Sequence, residues 1–164
     1  LVALGFGELT HDSHVPFLSH LVGTRRLLVE WGERPAMCDA GLFHSAYGTE
    51  YFPVDQDVER SEVQAVIGRE AEEIAHAWCT IRRDTIDVGP PSTVEDRTTG
   101  DRVEFSEQLI ADIATLWAAD TVEQIHRMDD DERAFAVNLS RVLHLARPVA
   151  QEAVRAKLAE LGTS

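Results

Sequence analysis

Apolar residues recur at intervals of three and four along most of the 164-residue chain, and this periodicity limits the folds open to it. Such spacing puts apolar side chains on one face of an α-helix, where they can pack against other helices. The sequence therefore predicts an all-α fold, a bundle of about six helices. The longer predicted helices span residues 15–31, 35–47, 69–83, 107–126, 129–145 and 148–161, and a short one spans 61–67.

The segment from residue 84 to residue 105 lacks the helical period. It contains Gly-Pro-Pro at 89–91 and Thr-Thr-Gly at 98–100, which are typical of turns. We predict a loop there, with at most one small β-hairpin near residues 94–105. A chain of 164 residues, 44% of them hydrophobic, is the size of one domain, and we predict a single domain over residues 1–164.

The net charge of −14 restricts the partners that this chain can attract. Nucleic acid is not expected as a partner, because Lys and Arg side chains must replace the counterions of the phosphates. No apolar stretch reaches the length of a membrane span, so no membrane partner is expected. A small-molecule ligand is predicted, and a phosphate group on it would need a local cationic pocket or a metal. The sequence does not indicate the oligomeric state.

The two cysteines bear on the cellular compartment. Cys38 and Cys79 lie in predicted helices and lack the spacing of metal-binding pairs. No signal peptide is recognisable at the start of the chain. We therefore predict buried, reduced thiols in a cytoplasmic protein, with a disulfide between them as the alternative.

Three polar residues fall on the apolar faces of predicted helices: His20, His44 and Asp120. A buried charge without a partner is costly, so these side chains need one another or a ligand. Two imidazoles and a carboxylate suit a divalent cation, which offsets the desolvation of its ligands. The alternative is a structural cluster in which Asp120 accepts hydrogen bonds from both histidines. His14 is a further candidate ligand, unless it caps the start of the first helix.

The order of these residues is also informative. His20 is followed by His44-Ser45 at the end of a helix, then by Ile67-Gly68, and later by Ala-Ala-Asp at 118–120. This order resembles the HD superfamily of metallohydrolases, above all the hydrolase domain of the alarmone enzymes of the stringent response. Those domains carry His, Leu-Leu-His-Asp, Phe-Gly and Leu-Ala-Asp in the same order. The likeness covers residues 14–126 and implies an HD-like helical bundle.

A second resemblance is closer. Residues 41–49, GlyLeuPheHisSerAlaTyrGlyThr, follow a Trp-Gly at 31–32. This stretch is similar to a poorly characterised bacterial family of HD-like domains with the same His-Ser and Tyr-Gly-Thr. The Ile-Gly and Ala-Glu that follow in that family appear here as Ile67-Gly68 and Ala71-Glu72.

The resemblance implies roles for individual residues. In the HD superfamily the first His, the His-Asp pair and the last Asp bind the metal, which corresponds to His20, His44 and Asp120. The Asp of the pair is Ser45 here, a weaker ligand for a hard cation. The acidic pair that orients water in the alarmone enzymes falls on Gly48 and Thr49.

The cofactor implied is a divalent metal, namely Mn, Fe, Zn or Ni, and Ser45 leaves a chain without metal as the alternative. With a metal, a bound water of lowered pKa would attack the substrate, and Glu50 or Glu70 is the candidate base.

Four other side chains are candidates for contact with substrate. Arg25, Arg60 and Arg82 could receive a phosphate or carboxylate, although acidic neighbours offer each of them a surface ion pair instead. Tyr47, next to the His-Ser turn, could donate a hydrogen bond to a ligand or simply pack. His76 falls with Glu72, Glu73 and Thr80 on the polar face of its helix, and we expect His76 to be exposed.

Three functions follow from these features. The first is a metal-dependent HD-type enzyme that hydrolyses a small phosphorylated or nucleotide-like substrate. The alternative is a degenerate HD-like domain without metal that binds a small molecule or a protein. The third is a non-haem iron oxygenase on the same scaffold.

Overall fold

The computed structural model describes residues 17–50, 58–128 and 138–162. His14 therefore lies outside the described residues. The described elements are α1 (Phe17–Glu30), α2 (Pro35–Phe43), α3 (Arg60–Ile67), α4 (Arg69–Thr80), β1 (Ile81–Asp87), β2 (Ser92–Asp96), β3 (Arg102–Phe105), α5 (Glu107–Gln124), α6 (helical residues 138–142), a 3-10 turn at Leu143–Leu145, and α7 (Pro148–Gly162).

Local sequence signals account for the helix boundaries. Pro35 occupies the first turn of α2, where a missing backbone N–H costs nothing. Gly68 separates α3 from α4 because it adopts a φ of 81°, which side chains with a Cβ avoid. The Ser106 hydroxyl caps α5 by accepting a hydrogen bond from the backbone N–H of Leu109.

The prediction of an all-α fold is wrong, because β1, β2 and β3 form a three-stranded antiparallel sheet in that order. The predicted hairpin corresponds to β2 and β3, which pair from Ser92 with Phe105 to Glu95 with Arg102. The missed strand is β1: α4 ends at Thr80, and residues 81–83 leave the predicted helix to pair with β2. Side chains of β1 alternate between buried and exposed through its first half, as a strand on a core requires.

The core lies where α1, α2, α4 and α5 meet. Helix α5 runs through its centre, and its residues 112–119 are all buried. The sheet covers one side of this core through Ile81, Ile86 and Val94. Helix α7 packs on α5 from another side. Polar side chains on α1, α2 and α5 that face the core are therefore brought together.

In the described part of the chain, no helix has both the length and the apolar composition to cross a lipid bilayer.

Candidate metal centre

His20, His44 and Asp120 come together in the helical core. His20 projects from α1, His44 directly follows α2, and Asp120 lies on α5. Both histidines are buried, and the Asp120 side chain is 15% exposed. Each residue contributes one ligand atom, and these atoms lie within 4.8 Å of one another.

The three ligand atoms form a nearly regular triangle. The two Nε2 atoms are 3.1 Å apart. Asp120 Oδ1 lies 3.1 Å from Nε2 of His20 and 3.4 Å from Nε2 of His44. Ligand atoms about 2.1 Å from a cation are separated by about 3.0 Å at a right angle and by about 3.4 Å at the tetrahedral angle. The triangle therefore has the dimensions of one face of a metal coordination sphere.

The other ring nitrogens fix the tautomer of each histidine. Nδ1 of His44 lies 2.7 Å from the backbone oxygen of Gly41, which can only accept a hydrogen bond. Nδ1 of His20 lies 2.5 Å from Oε2 of Glu123, a carboxylate oxygen. Both Nδ1 atoms are therefore donors, and both Nε2 atoms face Asp120. Metal-binding histidines are usually held by such a second hydrogen bond.

Without a cation, a proton has to lie between the two facing Nε2 atoms. Burial lowers the pKa of His20, but the hydrogen bonds and charges of Asp120 and Glu123 outweigh it and raise that pKa to about 9. Burial likewise raises the pKa of Asp120, but the hydrogen bond and the charge of His20 hold that pKa far below its usual range. The three facing ligand atoms therefore have a partner in two forms of the cluster, one with a proton on His20 and one with a cation among them.

The metal-free protein is expected to lose stability as the pH rises from about 6.5 to about 9, the ordinary and the raised pKa of His20. A raised pKa means that the folded state binds the proton more tightly than the unfolded state does. The resulting stabilisation of about 3 kcal/mol is complete at a pH below 6.5 and is lost as the pH passes 9. Urea unfolding in the presence of a chelator measures it. The pH profile of Asp120→Asn should be flatter, and a flat wild-type profile would contradict the assignment.

Aromatic and backbone contacts hold His44 in place. The Trp78 ring meets the His44 ring edge to face, with centroids 6.0 Å apart. The Cys79 thiol donates a hydrogen bond to the backbone oxygen of His44 over 3.1 Å. On the turn after β2, Arg97 donates to the backbone oxygens of Cys79 and Gly48. The sheet thus supports the turn that carries His44 and Ser45.

The two candidate bases do not join the ligand cluster. Oε2 of Glu50 accepts a hydrogen bond from the backbone N–H of Arg83 and lies 3.6 Å from Nε of that guanidinium. The Arg83 guanidinium stacks over Trp78, 4.2 Å from the ring centre. Glu70 instead accepts from Arg34, which also binds Asp112 through two hydrogen bonds. Glu70 therefore belongs to a structural ion network in which Arg34, the residue before α2, joins α4 to α5.

Two of the candidate substrate contacts share one buried partner. Arg60 donates two hydrogen bonds to Glu72, of 2.6 Å and 2.7 Å, and Tyr47 donates a third of 2.8 Å. Gln64 donates a fourth. The Glu72 side chain is fully buried, although Glu72 falls on the predicted polar face of α4. Burial raises the pKa of Glu72, but hydrogen bonds from Arg60, Gln64 and Tyr47 lower it to about 2.

The remaining candidates form ion pairs near the surface. Arg25 pairs with Asp39 over 3.4 Å, and Arg82 pairs with Glu95 over 3.0 Å. His76, predicted to be exposed, is half-buried against the ring of Tyr47.

Glu123, which binds His20, is not among the residues predicted from the sequence. The sequence does indicate its position, because Glu123 is three residues after Asp120 and therefore lies on the same face of α5.

The family described as Domain of unknown function (DUF6817) matches residues 1–83, a stretch that includes His20 and His44. The match ends before α5, which carries Asp120 and Glu123. No curated protein matched the chain. No solved structure matched it either.

Proposed function

The chain belongs to the DUF6817 family, a domain of unknown function, and we propose that it is a metal-dependent hydrolase of HD type. The substrate proposed is a small phosphorylated or nucleotide-like molecule. The observation that carries this proposal is the ligand triangle of His20, His44 and Asp120, in which both histidines are anchored through Nδ1 and present Nε2 to one point.

The donor set indicates the class of cation. Two imidazole nitrogens and one carboxylate oxygen suit Mn, Fe, Zn or Ni, whereas Mg²⁺ and Ca²⁺ favour sites made of oxygen ligands. Three protein ligands also leave coordination positions for water and substrate, as in catalytic zinc sites. Ser45 replaces one carboxylate of the HD pattern, but His20, His44 and Asp120 still supply three protein ligands.

The charge of the loaded site favours an anionic substrate. A divalent cation with the single charge of Asp120 has a net charge of about +1, since Glu123 is paired with Arg127. This local positive charge opposes the overall charge of −14. The resemblance to HD phosphohydrolases supports a phosphate group in that place.

The chain's own residues have defined tasks in such a site. A bound divalent cation supplies a water of lowered pKa and polarises a phosphoryl oxygen. His44 and His20 keep their protons on Nδ1, and Asp120 provides the charge that balances the cation. The Trp78 ring against His44 shields that side of the cluster from water.

Metal analysis combined with an activity assay tests the proposal. Purified protein is expected to contain near-stoichiometric Mn, Fe, Zn or Ni. It should hydrolyse p-nitrophenyl phosphate, bis-p-nitrophenyl phosphate or nucleotides, lose this activity with a chelator, and regain it when one of these metals is added. Metal-free protein whose unfolding responds neither to chelator nor to added metal would contradict the proposal and favour the binding-module alternative.

A second candidate, the non-haem iron oxygenase, is favoured by one feature of the same cluster. Two histidines and one carboxylate on a single face are the ligand set of mononuclear Fe(II) oxygenases. The outcome that supports it is stoichiometric iron together with oxygen consumption that depends on substrate.

A further inference from the structure

We propose that Glu123 is a positioning residue for the metal centre, and that Gly23 and Arg127 form a niche that holds its carboxylate against His20. The inference rests on the proposed function, because it assigns a role in orienting a metal ligand. It adds a carboxylate–histidine pair to the three ligands described above.

The carboxylate of Glu123 is held from two sides. Its Oε2 accepts hydrogen bonds from Nδ1 of His20 over 2.5 Å and from the Arg127 guanidinium over 2.6 Å. The Glu123 side chain is only 12% exposed. An acidic side chain that serves only solubility would face the solvent, whereas this one faces a buried imidazole on another helix.

Helix α1 makes room for this carboxylate at Gly23, one turn after His20. A Cβ at position 23 would lie 2.8 Å from Cγ and 2.9 Å from Oε1 of Glu123. Cγ is fixed close to the α5 backbone, so the side chain could escape the contact only by changing rotamer, and the carboxylate would then leave His20. Glycine is unfavourable within a helix, which makes its presence here consistent with the close approach of Glu123.

The contact with Glu123 determines how His20 can act as a ligand. It keeps the proton on Nδ1, sets the rotation of the ring, and aims the lone pair of Nε2 at the point shared with His44 and Asp120. A carboxylate partner also makes the imidazole a stronger donor to a metal. Without Glu123, Nδ1 of His20 loses the carboxylate that holds its proton, and the imidazole can take the other tautomer.

Binding of Co²⁺ to the chelator-treated protein tests this role, with competition against a chromophoric chelator giving the Kd. Glu123→Gln keeps the size of the side chain and removes its charge, and we expect the Kd to rise about 10-fold; Glu123→Ala and Gly23→Ala should raise it by up to about 100-fold. The matched control is Glu73→Gln, because Glu73 is also a glutamate paired with an arginine but lies at the surface. Its Kd should equal that of the wild type.

A double-mutant cycle separates positioning from a general loss of structure. If Gly23 acts by making room for Glu123, Gly23→Ala should cost no further affinity in the Glu123→Ala background. The visible Co²⁺ spectrum at saturating metal should change in Glu123→Gln and remain unchanged in Glu73→Gln. Wild-type protein that binds Co²⁺ while every variant retains its Kd and spectrum would overturn this inference alone. Wild-type protein that does not bind Co²⁺ would overturn both the inference and the proposed function.

Discussion

Asp120→Asn is expected to abolish stoichiometric metal binding, with a rise in Kd of more than about 100-fold, the upper value for partners that only support a ligand. Among the residues that the structure describes, Asp120 is the one carboxylate in the ligand triangle. The amide of asparagine has nearly the same size, but it cannot balance the charge of a cation. Elemental analysis after dialysis, together with Co²⁺ titration, measures the loss.

Asp112→Asn is the matched control for this variant. Asp112 is also an aspartate on α5 with little exposure to solvent, but its carboxylate binds Arg34 rather than the histidines. The control variant should be less stable, because it weakens a partly buried ion pair, and it should bind metal as the wild type does. An Asp120→Asn protein with unchanged metal content would show that the ligand set is wrong.

The grouping of His20, His44 and Asp120 was predictable because helical periodicity fixes which side chains face inward. Each residue lies on an apolar stripe of its helix, and helices of one small domain share one core. The same periodicity could not show which group accepts the hydrogen bond from Nδ1 of each imidazole. Glu123 lies three residues beyond Asp120 on the same face, but its contact with His20 depends on how closely α1 and α5 approach at Gly23.

The missed strand has a different cause. Trp78 and Ile81 are three residues apart, so the helical pattern of α4 runs on across its true end at Thr80. Strand β1 forms because residues 81–87 pair with β2, which follows later in the chain. Pairing of this kind depends on the partner strand, and the pattern within one segment does not report it.

The burial of Glu72 could not be predicted from the sequence for a related reason. Periodicity places Glu72 opposite the apolar face of α4, which usually means solvent. Here α3 and the turn at Tyr47 cover that second face. Arg60 and Tyr47, predicted as substrate contacts, supply the hydrogen bonds that make the burial of Glu72 tolerable.

Arg60→Gln is expected to destabilise the protein by about 3 kcal/mol, because it leaves the buried carboxylate of Glu72 without its cation. This value is at the lower end for a broken buried ion pair, since the Arg60 side chain is half-exposed and Tyr47 and Gln64 still donate to Glu72. Urea unfolding near neutral pH measures the change. Arg69→Gln, which breaks the exposed pair with Glu73, is the matched control and should not shift the midpoint measurably.

The pH dependence of the stability of Arg60→Gln tests whether the unpaired charge of Glu72 causes the destabilisation. The pKa of Glu72 is lowered to about 2 from an ordinary value of 4.5, so the folded state holds the carboxylate in its charged form. Stabilisation from a lowered pKa is complete above the ordinary value and is lost as the pH falls towards the lowered one. The difference between wild type and Arg60→Gln should therefore shrink as the medium is acidified below about pH 4.5.

The same variant distinguishes a structural Arg60 from one that binds substrate. A structural role predicts lower stability with an unchanged Kd for metal and an unchanged KM for any substrate found. If Arg60 binds substrate, stability should be close to that of the wild type and KM should rise. Because Arg60 already makes two short hydrogen bonds to a fully buried carboxylate, we expect the first result.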